Sequence, residues 1–216
     1  ANEGTDEGGG IYNESGETCV RHPTLANNQA DGAENVDSGG AVYARSTGTV
    51  SIDSSTLSNN FADLGGGIYA NVNSNVNIVN STIAGNTASR NGGGIRSLGG
   101  HVFVSASTLT GNEADASNAG SGGGGLAVGG EEPETTLVST IITGNSAANA
   151  PDVQRFSHPI TDLGNNLIAR GGGSVKRQDP MTDKWYEVVR VPSGISWEAA
   201  RDAAIAAGGI LASINN

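Results

Sequence analysis

A single cysteine, Cys19, means that no disulfide can form within the chain, and no His/Cys cluster has the spacing of a zinc site. Basic residues are scarce as well, 11 against 22 acidic, giving a net charge of −11. With no basic stripe to offset phosphate charge, nucleic acid and anionic membrane surfaces are not expected as partners. No apolar run approaches the ~18 to 20 residues of a membrane span, so none is expected in this chain. Aromatic residues make up only 4%. Any core is therefore assembled from many small aliphatic pieces rather than a few large rings.

Glycine is abundant, with 34 residues, and it is not scattered. A glycine cluster followed by an aliphatic residue recurs as "GGGIY" (Ile11), "GGAVY" (Val42), "GGGIY" (Ile68), "GGGIR" (Ile95) and "GGGGL" (Leu126), at intervals of 31, 26, 27 and 31. A second mark is the asparagine of phrases such as "NSTIAGNTA", at Asn28, Asn60, Asn86, Asn112 and Asn145, at intervals of 32, 26, 26 and 33. Both series share a unit of about 26 residues, lengthened where polar stretches intrude at 31–37, 115–121 and 131–134. Between the marks lie "TVSID", "NVNIV" and "HVFVS", whose alternation at period 2 is a strand signal.

A unit of this length with short strands and Gly/Asn corners cannot bury its apolar face alone, but it does so by coiling onto its neighbours. The expectation is an all-β, right-handed parallel β-helix of about five to six coils over residues 1–173. Stacked inward columns are expected at Val50/Val76/Val102, at Ile52/Ile78/Val104 and at Leu57/Ile83/Leu109/Ile142. Asn60, Asn86, Asn112 and Asn145 are expected at a corner where asparagine tolerates left-handed angles and its amide bonds to the next one along the axis. Together with Ile83, Leu109 and Ile142 they form the expected structural ladder. Thr24, Thr56, Thr82 and Thr108 are read as outward filler. Ala1 stands in mid-pattern, so a preceding stretch is expected.

This pattern, GGGIY…V-x-I-x-x-S-T-I-x-G-N-x-A, resembles the repeats of bacterial extracellular right-handed β-helix proteins. It is similar to chlamydial polymorphic outer-membrane proteins and other pectin-lyase-like folds, over about residues 8 to 172. The resemblance implies an extracellular or cell-surface location and a fold shared by lyases, adhesins and inert stalks.

Beyond Gly173 the composition changes. Residues 174–183 read as a linker, "KWYEVVRV" (184–191) as a strand, "SWEAARDAAIAA" (196–207) as a helix with Ser196 as its N-cap, and "ILASI" (210–214) as a second strand. This string looks like the opening of a C-type lectin-like domain, which implies a short β-α-β segment over 184–216. Trp185, Trp197 and Ile205 are the expected docking residues. The lectin family's calcium ligands and sugar-reading residues lie in a later half, so no such site carries over to this chain.

Candidate catalytic residues are sparse. The acidic side chains Asp31, Glu34, Asp37, Asp115, Glu131, Glu132 and Glu134 gather in the insertions, where a solvated surface is the main expectation and a weak calcium site the alternative. Arg45 and Arg96 follow glycine corners, and Arg45 is placed to cross a coil to an acidic loop. His22, His101 and His158 stand alone, and Cys19 reads as an isolated thiol. No cofactor is expected. The function expected from the sequence is a non-catalytic structural or adhesive protein, a rigid spacer with a docking tail whose partners are surface glycans or other subunits. A polysaccharide lyase or hydrolase of the pectin-lyase-like class and a self-assembling filament or surface-layer subunit are the alternatives.

Overall fold

In the computed structural model the chain winds as a right-handed parallel β-solenoid of about five turns. The structure describes residues 2–4, 7–31, 37–115, 122–130, 134–156, 159–168, 175–178 and 185–188. Successive coils contribute short strands to four parallel sheets, three of six strands and one of five. The glycine-corner sheet holds Ile11–Asn13, Val42–Ala44, Ile68–Ala70, Ile95–Leu98, Leu126–Gly129 and Val153–Arg155. A sheet of longer strands follows, from Glu17–Arg21 through Thr49–Asp53, Asn75–Val79, His101–Ser105 and Glu134–Val138 to Ile160–Asp162. The third sheet runs from Thr24–Ala26 to Leu167–Ile168 through the three-residue strands Thr56–Ser58, Thr82–Ala84, Thr108–Thr110 and Ile141–Thr143. The fourth, after the asparagine, is built from Glu3–Gly4, Gln29–Ala30, Phe61–Leu64, Thr87–Asn91 and Glu113–Ala114.

Alternation decides which way each side chain points. In Asn75–Val79 the valine and isoleucine at the second and fourth positions are fully buried while Asn77 between them is exposed. Register then stacks like on like: Val50, Val76 and Val102 form one column, Ile52, Ile78 and Val104 a second, and Leu57, Ile83, Leu109 and Ile142 a third. A fourth column, Val42, Ile68, Ile95 and Leu126, lines the glycine-corner sheet. Each fully buried aliphatic side chain here contributes about 1.5–3 kcal/mol. The columns merge into one hydrophobic core running along the axis.

The insertions leave this register untouched. Ile95 pairs with Leu126 and Asn112 bonds to Asn145 although the intervening coil carries the extra residues. The described residues on either side of each insertion keep the same columns, and the extra length costs little because closure entropy grows slowly with loop length.

The C-terminal β-α-β expectation is overturned. No helix occurs among the described residues, and the described part of the tail is a two-stranded antiparallel ribbon pairing Val175–Gln178 with Trp185–Val188. Valine and aromatic residues favour extended backbone, and pairing supplies hydrogen bonds that a lone strand lacks. Val175–Gln178 falls in the stretch read as a linker. Residues 196–207, read as the helix, lie outside the described residues, as do 210–214 and with them Trp197 and Ile205; Trp185 lies on the second strand of the ribbon.

Candidate functional site

Three stacked arrays, each one residue deep and several coils long, dominate the polar chemistry of the rod. The first is the asparagine ladder. The side-chain Nδ2 of Asn28 donates to Oδ1 of Asn60 (2.9 Å), Asn60 to Asn86 (2.8 Å), Asn86 to Asn112 (2.9 Å) and Asn112 to Asn145 (2.9 Å). Each Oδ1 also accepts the backbone N–H of the previous asparagine. The second proton of Nδ2 goes to a carbonyl further back, Leu25, Leu57, Ile83 and Leu109 for Asn60, Asn86, Asn112 and Asn145 in turn. The run ends on the Asp152 carboxylate, which accepts from Asn145 Nδ2 at 2.9 Å. At the other end Asn28 Oδ1 accepts from the backbone of Asn2.

The left-handed backbone at this corner does not belong to the ladder asparagines. It falls one residue earlier, at Asn27 (φ 57), Asn59 (φ 54), Gly85 (φ 64), Gly111 (φ 63) and Gly144 (φ 72). The division has a physical basis. The turn residue needs freedom of φ, and glycine or asparagine provides it. The following residue needs an amide, because only an amide offers two donors and a double acceptor in one plane.

The second array, a hydroxyl ladder, was not singled out from sequence. Backbone N–H groups of Ser55 and Ser81 donate to the Oγ of Ser81 and Ser107, and each of these hydroxyls donates to the carbonyl two residues before it. Thr140 and Asn166 continue the column. The residue preceding each rung is again left-handed: Ser54, Asn80, Ala106, Ser139 and Asn165. The signal was the serine or threonine opening every "ST" phrase, which reads as surface filler until the coil is closed. Of the threonine column, Thr56, Thr82 and Thr108 are in register and partly exposed.

The third array lies on the outward side of the glycine-corner sheet. Tyr12, Tyr43 and Tyr69 stack with ring centroids 5.4 and 5.2 Å apart, and Arg96 takes the next register position. Tyr43 and Tyr69 are buried, and burial pushes both phenols up to about 12. Arg96 is only 8% exposed, yet its Nε and Nη1 have no hydrogen-bond partner. Its guanidinium lies 4.9 Å from the centroid of the Phe156 ring, a cation–π contact. Burial lowers its pKa, opposed by the neighbouring Tyr69. The sequence signal was the residue after each aliphatic mark, Y, Y, Y and R in successive coils.

The remaining candidates are dispersed. Arg45 reaches back one coil, with its Nη1 3.7 Å from Glu7 Oε2 and 3.4 Å from the Tyr12 hydroxyl. His101 Nδ1 lies 3.2 Å from Glu134 Oε2 on the exposed surface. Asp31 accepts from Gln29 Nε2 at 2.7 Å, Asp37 is buried beside the glycine corner and Asp115 follows the strand Glu113–Ala114. His22 is a left-handed corner residue. Cys19 is exposed, and its hydrogen bond to Glu17 is the main cause that pushes its thiol pKa up, away from a reactive thiolate. Glu34, Glu131, Glu132 and His158 lie outside the described residues. Among the described residues no three His, Cys, Asp or Glu side chains come together as a metal site. A shallow groove on the outer face of the longer-stranded sheet is lined by Arg21, Ser51, Asp53, Asn77 and Asn80.

Compared with protein-family models, with curated proteins and with solved structures, the chain matches none of them. Its class is thus defined by the fold itself, a parallel β-solenoid with internal amide and hydroxyl ladders.

Proposed function

We propose that this chain is a non-catalytic structural element, a rigid spacer or assembly segment of an extracellular or cell-surface protein. The observation that supports this reading is the asparagine ladder. The amides of Asn60, Asn86, Asn112 and Asn145 each have both Nδ2 protons and the Oδ1 committed, so this buried polar array stiffens the rod. The repeat's resemblance to bacterial surface β-helices points the same way. Surface glycans or other protein subunits are the partners such a spacer would present or join. The test is twofold. Circular dichroism of the chain should keep its β signature up to one cooperative thermal transition, and incubation with a panel of acidic polysaccharides should release no new ends. Turnover of any of them that depends on a charged side chain of the rod would defeat the reading.

A lyase of the pectin-lyase-like class is the second reading, favoured by one observation, that Arg21 and Asp53 line the same groove. If it holds, Arg21→Ala abolishes the cleavage that the same panel would reveal. End-to-end assembly is the third, supported by the stacking itself, in which strands of successive coils pair in parallel with like residues in register. It predicts particle mass that rises with concentration in light scattering; a constant monomer mass removes it.

A further inference from the structure

The shallow groove on the longer-stranded sheet lies where that sheet turns into the third, across the coils that begin the described rod, and it holds about 300 Å³. Its walls are Arg21, Ser51, Asp53, Asn77, Val79 and Asn80, and the chain on either side of each is among the described residues. Alternation places them there. Val50, Ile52, Val76 and Ile78 point into the core, so Ser51, Asp53, Asn77 and Val79 point outward. Register then sets Ser51 beside Asn77, and Asp53 between Arg21 and Val79, with neighbouring coils ~4.7–4.9 Å apart.

The fold holds two of these groups in place. Asn80 is a left-handed corner residue (φ 50) whose backbone N–H is tied to Ser105 O at 3.1 Å, so its amide starts from a fixed point. Ser54 Oγ donates to Asp53 Oδ1 at 2.9 Å and orients the carboxylate.

Donors and acceptors select the ligand. Arg21 only donates, ionised Asp53 only accepts, and Ser51, Asn77 and Asn80 do both. A hydroxyl answers all of them, because it donates and accepts at one atom. Charge narrows the choice further. Arg21 and Asp53 stand in neighbouring coils and offset each other, so an ion that gains from one is opposed by the other, and the net charge of −11 repels anions. A zwitterion would satisfy the two charges but leave the amides idle. Val79 adds an apolar edge on which the C–H face of a sugar ring can rest.

We propose that this groove binds a neutral pyranoside, with one hydroxyl bridging Arg21 and Asp53 and another held by the amides of Asn77 and Asn80. The proposal rests on the reading of the chain as a spacer that presents or joins surface glycans, and it gives that partner a place and a chemistry, uncharged sugar rather than acidic polysaccharide.

The probes are the methyl α-pyranosides of glucose, galactose and mannose, the last two each differing from the first in the orientation of one hydroxyl. They are titrated onto the full chain and followed by 15N NMR at Arg21 Nε–H and at the side-chain amides of Asn77 and Asn80. With at least one probe these signals should shift saturably at a Kd of roughly millimolar, while the buried Asn86 and Asn112 amides stay put. Asp53→Ala removes an ionised acceptor and should weaken binding at least about tenfold. Asn80→Gly suits the left-handed corner and should weaken it about two- to tenfold. Glu113→Gln, on the fourth sheet, should bind like the parent. The proposal is overturned by flat titrations with all three probes, by unchanged affinity in either groove variant, or by galacturonate or alanine binding more tightly than the best pyranoside. The titrations use the unsubstituted chain and decide the matter even if a variant does not fold. Flat titrations would remove the site and leave the spacer reading intact, whereas new ends released from a polysaccharide would defeat the spacer reading and leave a measured pyranoside site standing.

Discussion

Replacing Asn86 with alanine removes four hydrogen bonds from a fully buried position. Asn86 Oδ1 accepts from the Asn60 backbone at 3.0 Å and from Asn60 Nδ2 at 2.8 Å, while Asn86 Nδ2 donates to Leu57 O at 3.0 Å and Asn112 Oδ1 at 2.9 Å. Asn112 Oδ1 keeps a second donor, the Asn86 backbone. Two groups are left stranded: the Asn60 N–H and one proton of the Asn60 amide. Each stranded buried group costs about 1–3 kcal/mol. Partial relaxation brings the total to about 2–5 kcal/mol, a large part of the ~5–15 kcal/mol that holds a typical domain together. Asn86→Asp should be at least as damaging at neutral pH, since its second oxygen would face the Leu57 carbonyl and Asn112 Oδ1 with no proton to give. Urea unfolding followed by circular dichroism measures both, with Asn59→Gly as the control. Asn59 is exposed and left-handed, so glycine there should change stability by less than about 1 kcal/mol. A loss below about 1 kcal/mol in Asn86→Ala would refute the assignment of the ladder as the rod's main polar support.

Three further outcomes follow from the geometry. Asp152→Asn keeps an acceptor for Asn145 and should cost less than about 1 kcal/mol, whereas Asp152→Ala orphans two buried donors and should cost about 2–4 kcal/mol; thermal melts separate the two. In Gly93→Ala the new Cβ would collide with the backbone of Glu113 in the next coil, so a destabilisation of about 3 kcal/mol or more is expected, and a soluble variant with the parent melting temperature would contradict it. Tyr43 and Tyr69 are held neutral by burial up to about 12. The stability they contribute is complete below their ordinary value of ~10 and is lost as pH rises from there through about 12. Phenolate absorbance of these two rings should therefore appear late and together with unfolding; ionisation near ~10 with the fold intact would show that they are not enclosed.

The repeat was legible because stacking forces like residues into the same position in every coil. Val76, Ile78 and Ile83 announce their columns by recurrence alone. The left-handed corner was misplaced by one residue, from Gly85 to Asn86, because asparagine suits both a strained turn and an amide ladder, and only the closed coil shows which role each position takes. The hydroxyl rungs Ser55, Ser81 and Ser107 were illegible for a related reason. A serine beside a threonine in a polar phrase signals surface until the chain turns it inward. Arg96 illustrates a third limit, since its isolation depends on Phe156, which lies 60 residues further along the chain and follows no repeat mark.

The bonds of the amide ladder run from coil to coil, along the axis of the rod. A tension applied along that axis is therefore carried in full by every interface, and the coils give way one at a time. The weakest coil-to-coil interface should open first, followed by the next weakest. Each event releases one coil of 26 to 33 residues, which can extend by at most about 90 to 120 Å. Under load, such a rod behaves as a stack of mechanical fuses that lengthens coil by coil, by a longer step where a coil carries an insertion, while the coils still wound keep their register.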